Sequence, residues 1–157
     1  MRIQFPEIVF ENTRIDMIYA ALMSLRRENL IPDAEYEIRD EATETETTRF
    51  HCKHSIPFMI RPFLSSLESI EEIHLNRQDK KITISAKQTS SANVGMYIFT
   101  TFQESADSVA CSGYLETSLA LPAIIRYGFE SHVKSKNTAM RQLEMERIYF
   151  LESLAQL

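Results

Sequence analysis

Apolar residues at Ile3, Phe5, Ile8, Val9 and Phe10 predict an opening strand, broken at Pro6 because proline has no N–H to give a sheet ladder. Ile15, Ile18, Leu22 and Leu25 then recur at spacings of three and four, the period of an amphipathic helix, and Thr13 with Asp16 has the form of a capping box in front of it. Residues 29–33 end that helix. Strands follow over 35–38 and 48–54, separated by an acidic, threonine-rich turn at 40–46. In the second of them Arg49, His51 and Lys53 share one face and Phe50 and Cys52 the other, so a row of cations points one way. The stretch Ile56, Pro57, Phe58, Met59, Ile60, Arg61, Pro62, Phe63, Leu64 is very apolar, yet its two prolines deny it a regular helix. It reads as an ordered loop containing a short or broken helical turn.

Alternation returns at 70–75 and at Ile82, Ile84 and Ala86, with a turn at 77–80 between them, predicting a hairpin. Two more strands cover 94–102 and 109–117. In the first, Met96, Ile98 and Phe102 lie on one face and Tyr97 and Phe99 on the other, which predicts cover on both sides. From Pro122 to Leu154 the period becomes helical, with Ile125, Phe129, Val133, Met140, Leu143, Leu151 and Leu154 in one stripe.

Strand, short helix, about six to seven mostly antiparallel strands and one long C-terminal helix make an α+β fold by the layer rule. One helix about 10 Å wide covers only part of so broad a curved sheet, so an internal cavity is expected between them, lined by Met96, Ile98, Phe102, Phe129 and Val133. A length of 157 residues, with no linker or repeat, suits a single domain over 1–157. Net charge of −5 gives no overall footprint for nucleic acid, so an anion site must be local. Residues 1–10 carry Glu7 and no apolar core of the kind a secretory signal needs. Cys52 and Cys111 have no companions at metal-ligand spacing, which argues against a metal and favours two free thiols over a bridge.

Nucleophile motifs are missing, His51, His54, His74 and His132 are dispersed, and the carboxylate pairs Glu71/Glu72 and Glu144/Glu146 read as solvated. The stronger signal is cationic: Arg26 and Arg27 end the first helix, Arg49 and Lys53 line a strand, Arg61 sits in the proline loop, and Lys134 and Lys136 lie in the long helix. Such groups at a cavity mouth suit a phosphate headgroup, while burying acyl methylenes at about 0.8 kcal/mol each supplies the affinity. The proline loop then serves as a lid that covers a lipid when closed and touches a bilayer when open.

At Thr47-Thr48-Arg49-Phe50, through Lys53, to the loop 56–64, the sequence resembles the PRELI/Ups phospholipid-transfer family. The likeness continues through the 70–86 hairpin, the 94–102 strand and the basic run from Phe129 to Lys136, covering roughly residues 47–150. It departs from the family's pattern at Gly128, Ser135 and Met59. The resemblance implies a START-like helix-grip fold, a non-enzymatic carrier of phosphatidic acid or a related anionic phospholipid, and residence in the mitochondrial intermembrane space. It also implies no cofactor, transient contact with a membrane surface and a small helical twin-Cys partner protein. Its site residues fall on Arg26, Arg49, Lys53, His132 and Lys134 for the headgroup. Two rivals stand beside it: a START-like cyclase or hydrolase using His51, Tyr97 or Glu116, and a protein-interaction domain with a filled core.

Overall fold

The computed structural model describes residues 1–64, 66–89 and 94–157, with the side chains of Met59 and Leu119 outside that description. Strand β1 (Arg2–Glu11) is followed by α1 (Ile15–Arg27), β2 (Ala34–Ala42), β3 (Thr47–His54) and a 3-10 turn (Phe58–Ile60). Then come β4 (Leu67–Asn76), β5 (Lys81–Gln88), β6 (Val94–Ser105), β7 (Ser108–Leu119) and α2 (Ala123–Ala155). The strands form one antiparallel sheet in the order β1-β7-β6-β5-β4-β3-β2. Consecutive strands from β2 to β7 are neighbours, and β1 closes the run by pairing with β7. The two rims, β1 and β2, are therefore joined through α1.

Alternation fixes which face is wet. Along β4, Leu67, Ser69, Glu71, Ile73 and Leu75 are buried and the residues between them are half-exposed. In β1 the phase is reset by an irregularity between Phe5 and Ile8, the place where Pro6 cannot donate, so Phe5 and Phe10 both point inward despite their odd separation. The β6–β7 pair packs backbone to backbone at Gly113: a Cβ there would lie 2.6 Å from the Phe99 carbonyl oxygen, so no other residue fits without displacing a strand.

Helix α2 is 33 residues long, about 50 Å at 1.5 Å per residue, and it crosses the inner face with α1 packed against it. The start of α1 is capped differently from the prediction. Thr13 Oγ1 is buried and makes no hydrogen bond among the described residues, so no capping box forms; the Ile15 N–H donates instead to Glu104 Oε1 at 2.8 Å, from the far end of β6. That bond is the largest cause holding the Glu104 carboxyl below its ordinary range.

Two apolar groups fill the space between helices and sheet. One gathers Phe10, Leu22, Phe50, Ile73, Ile82, Phe102 and Ile148 under α1. The other gathers Phe5, Ile60, Leu64, Met96, Leu115, Phe129 and Val133 beneath the first half of α2. The second cover predicted over Tyr97 and Phe99 does not form among the described residues: these rings stand half-exposed on the outer face, stack on each other and lie tilted against Tyr114, at centroid distances of 5.7–6.5 Å.

Candidate functional site

The proline loop and the start of α2 meet at one end of the sheet. Ile60 is fully buried and Leu64 nearly so, and both join Met96, Phe129 and Val133, with Ile56, Ile98 and Ile125 packed at the margin. Of the five residues expected to line a cavity, four lie in this group, while Phe102 belongs to the other cluster against Phe10. In the present conformation this end is therefore plugged by the protein's own loop. The same segment leaves Phe58 83% exposed and Phe63 42% exposed, and the facing turn of α2 presents Ile124 and Tyr127 almost bare. Arg61 and Arg126 are exposed beside them, and among the described residues the Arg61 Nε–H donates only to the Ile56 carbonyl, at 3.4 Å. Proline supplies the local reason: Pro57 stands at the start of the turn and Pro62 has no N–H to continue it, so the helical turn spans three residues and leaves apolar side chains on both sides of it.

Deeper in, the space contains charge. Arg26 is 1% exposed, and its guanidinium donates through Nε and Nη2 to both oxygens of Glu71 and through Nη1 to the Leu22 carbonyl at 3.2 Å. Burial, the largest single influence, opposes its charge, but Glu71, Tyr36 and Glu144 together outweigh it and hold the guanidinium above its ordinary range. Burial likewise pushes the Tyr36 phenol well above its ordinary value. Facing them from α2, Glu144 has no hydrogen-bond partner among the described residues. Burial pushes its carboxyl up to about 7, with Arg26 and Arg141 pulling it back and Glu71 adding to the rise. Arg141 sits one turn earlier with Nη1 donating to the Pro6 carbonyl at 2.8 Å and its plane over the Phe5 ring; its Nη2 is buried without a partner among the described residues. Glu130 accepts from Thr117 Oγ1 at 3.1 Å near the plugged end.

The five headgroup candidates do not converge. Arg26 points inward, but its hydrogen-bonding capacity is already given to Glu71. Arg49 and Lys53 lie on the outer face, because inward positions in β3 belong to Thr48, Phe50 and Cys52. There they sit in register with carboxylates of both neighbouring strands: Arg49 opposite Asp40 and Glu72, Lys53 opposite Glu35 and Glu68. Arg49 donates to Glu72 at 2.8 Å and Asp40 at 3.2 Å, so the cationic row is one line of a cross-strand charge lattice. His132 and Lys134 are exposed on α2. His51, Tyr97 and Glu116, proposed for a rival enzyme, also face outward.

Pattern reading missed Glu71, Arg141 and Glu144. A signal was present: Glu71 has the parity of Ile73 and Leu75, and Arg141 and Glu144 keep the phase of Val133 and Ile148, so each is a charge standing at a core position. Cys52 and Cys111 are free and buried, with burial pushing each thiol up to about 12, which makes them inert. No His, Cys, Asp and Glu cluster suited to a metal occurs among the described residues.

No protein-family model matches the chain, and comparison with curated proteins finds no match. Solved structures do share its architecture. A STAR-related lipid transfer protein from Xanthomonas axonopodis superposes with a TM-score of 0.60 at 15% identity, over 90% of this chain and 82% of that one. Human STARD10 gives 0.67 at 7% identity over 99% and 66%, and the Zhui aromatase/cyclase from Streptomyces sp. R1128 gives 0.65 at 12% over 95% and 93%.

Proposed function

Starting from the START-like helix-grip fold that these superpositions establish, we propose that the protein is a non-enzymatic carrier of an amphipathic, largely apolar ligand. The ligand lies between α2 and the sheet and is admitted by movement of the loop at residues 56–64. The observation that carries the reading is the division of that loop into buried Ile60 and Leu64 and bare Phe58 and Phe63. Unseating the two buried side chains costs about 3–6 kcal/mol, and roughly four to eight ligand methylenes entering the same space offset it. The energy of opening is thus within reach of a single acyl chain.

Phe58, Ile124 and Tyr127 with Arg61 and Arg126 form an apolar tip with a basic border, which suits docking on an anionic bilayer. An anionic phospholipid is accordingly the ligand class to test first, as the resemblance over residues 47–150 also suggests. The protein, purified gently and sprayed under native conditions, should carry lipid, and it should move phosphatidic acid between liposomes. Phe58→Asp with Ile124→Asp should leave folding intact and slow transfer on the order of tenfold or more, since each apolar side chain that no longer enters the bilayer forfeits about 1.5–3 kcal/mol. Wild-type protein that neither retains lipid nor transfers it from anionic vesicles removes the proposal.

One observation favours a second reading, acid–base catalysis on an apolar substrate. Glu144 titrates near neutrality and faces Arg26, Glu71 and Arg141 in the interior, the arrangement expected of a general acid or base. An enzyme of this kind would lose turnover in Glu144→Gln while still taking up ligand, whereas a carrier transfers lipid unchanged in that variant.

A further inference from the structure

A groove of about 230 Å³ runs between α2 and the α1–β2 connection. Ile31, Pro32, Ala139, Met140 and Leu143 make it apolar, and Lys136 lies in it. The Lys136 Nζ donates to His54 Nδ1 at 2.9 Å and to the Asp33 carbonyl at 3.4 Å, and no carboxylate pairs with it among the described residues. The other ring nitrogen of His54 is 3.0 Å from Ser69 Oγ; an ammonium at Nζ can only donate, so Nδ1 is the acceptor and the ring N–H lies on Nε2, facing that hydroxyl. An amine set against a neutral imidazole at the edge of an apolar groove is a cation that burial disfavours, and it becomes a nucleophile by giving up its proton.

We propose that Lys136 is a carbonyl-condensing amine that forms an imine with a small apolar aldehyde seated in this groove. The Nζ lone pair adds to the carbonyl carbon, the oxygen takes the proton that nitrogen sheds, and the resulting carbinolamine loses water to leave a C=N bond. No oxidant or reductant takes part. A chain of three or four carbons fits the space beside Met140 and Leu143.

The electrostatics agree with the geometry. Burial is the largest cause lowering the basicity of Lys136, with Cys52 and Asp33 opposing it, and burial followed by the charge of Lys136 lowers His54 to about 3. Two bases in direct contact do not both carry a proton; the one they hold resides on Lys136, and burial makes this amine give it up more readily than an exposed lysine does. The proposal rests on Lys136 and its groove and does not depend on the carrier reading.

The test is competitive reductive alkylation of the intact protein with butanal and cyanoborohydride at pH 7, read by peptide mass mapping. Lys136 should label on the order of tenfold faster than exposed Lys80 and Lys134, the factor that half-burying a three-carbon tail supplies. Excess 1-butanol, which fills the groove without reacting, should slow Lys136 alone, and denaturing urea should abolish the selectivity. Lys136→Arg confirms the peptide assignment. Labelling of Lys136 no faster than Lys134, or selectivity indifferent to butanol, overturns the proposal.

Discussion

Replacing Arg26 by Met strands the Glu71 carboxylate inside the sheet, and the structure sets the size of the effect. The guanidinium makes two bonds to Glu71 and one to the Leu22 carbonyl, all away from water. Charge-assisted bonds of this kind are worth about 1.5–3 kcal/mol each, and breaking one side of a buried pair costs about 3–5 kcal/mol. Against a typical domain stability of about 5–15 kcal/mol, the variant sits near the edge of unfolding at neutral pH. The companion Arg26→Met/Glu71→Leu replaces both charges with apolar groups of similar reach, and should recover most of the loss. Urea unfolding followed by far-UV circular dichroism, run as a double-mutant cycle, reads the coupling directly; about 2 kcal/mol or more is expected. A single-variant cost below about 1 kcal/mol, or a coupling near zero, would refute the claim that this pair is a buried, mutually dependent unit.

Other outcomes follow from single residues. Because the Glu144 carboxyl is raised in the folded chain, the native state binds its proton more tightly than the unfolded state. Its effect is absent below about pH 4.5 and costs stability as pH rises toward 7, by up to about 3 kcal/mol; Glu144→Gln should flatten that fall in a pH series of urea midpoints. For His54 the sign is opposite: the folded ring is lowered, so its effect is stability that declines when pH falls below 6.5 toward about 3, and His54→Gln should reduce this acid-side decline. Gly113→Ala meets the Phe99 carbonyl and should cost about 1–3 kcal/mol, while Gly95→Ala, whose nearest neighbour is at 3.4 Å, should cost much less; matched thermal melts compare them.

Much of the fold could be read from period alone. The α1 stripe at 15, 18, 22 and 25, the strict alternation of β5 and the long apolar phase of α2 each correspond to an element, since burial on one face leaves that signature directly in the chain. Periodicity specifies the faces and not their destinations. Arg49 and Lys53 do form one row, but which side of the sheet meets the helices depends on Phe50 and Cys52 outweighing them, and on Asp40, Glu35, Glu68 and Glu72 arriving from other strands. The interior charges escaped for a related reason. Arg26, Glu71, Arg141 and Glu144 become tolerable inside only through one another, over separations of up to more than a hundred residues, and no local window contains that compensation.

The order of the strands has a mechanical corollary. The sheet is not closed on itself, and the direct covalent tie between its opposite borders is α1 with its short connections. Thirteen residues at 1.5 Å each make a strut of roughly 20 Å, braced against α2. Removing one helical turn would draw the borders together by about 5 Å and tighten the bend of the whole sheet. The curvature of the sheet is thus tied to the length of its shorter α-helix, far from the loop that seals the other end.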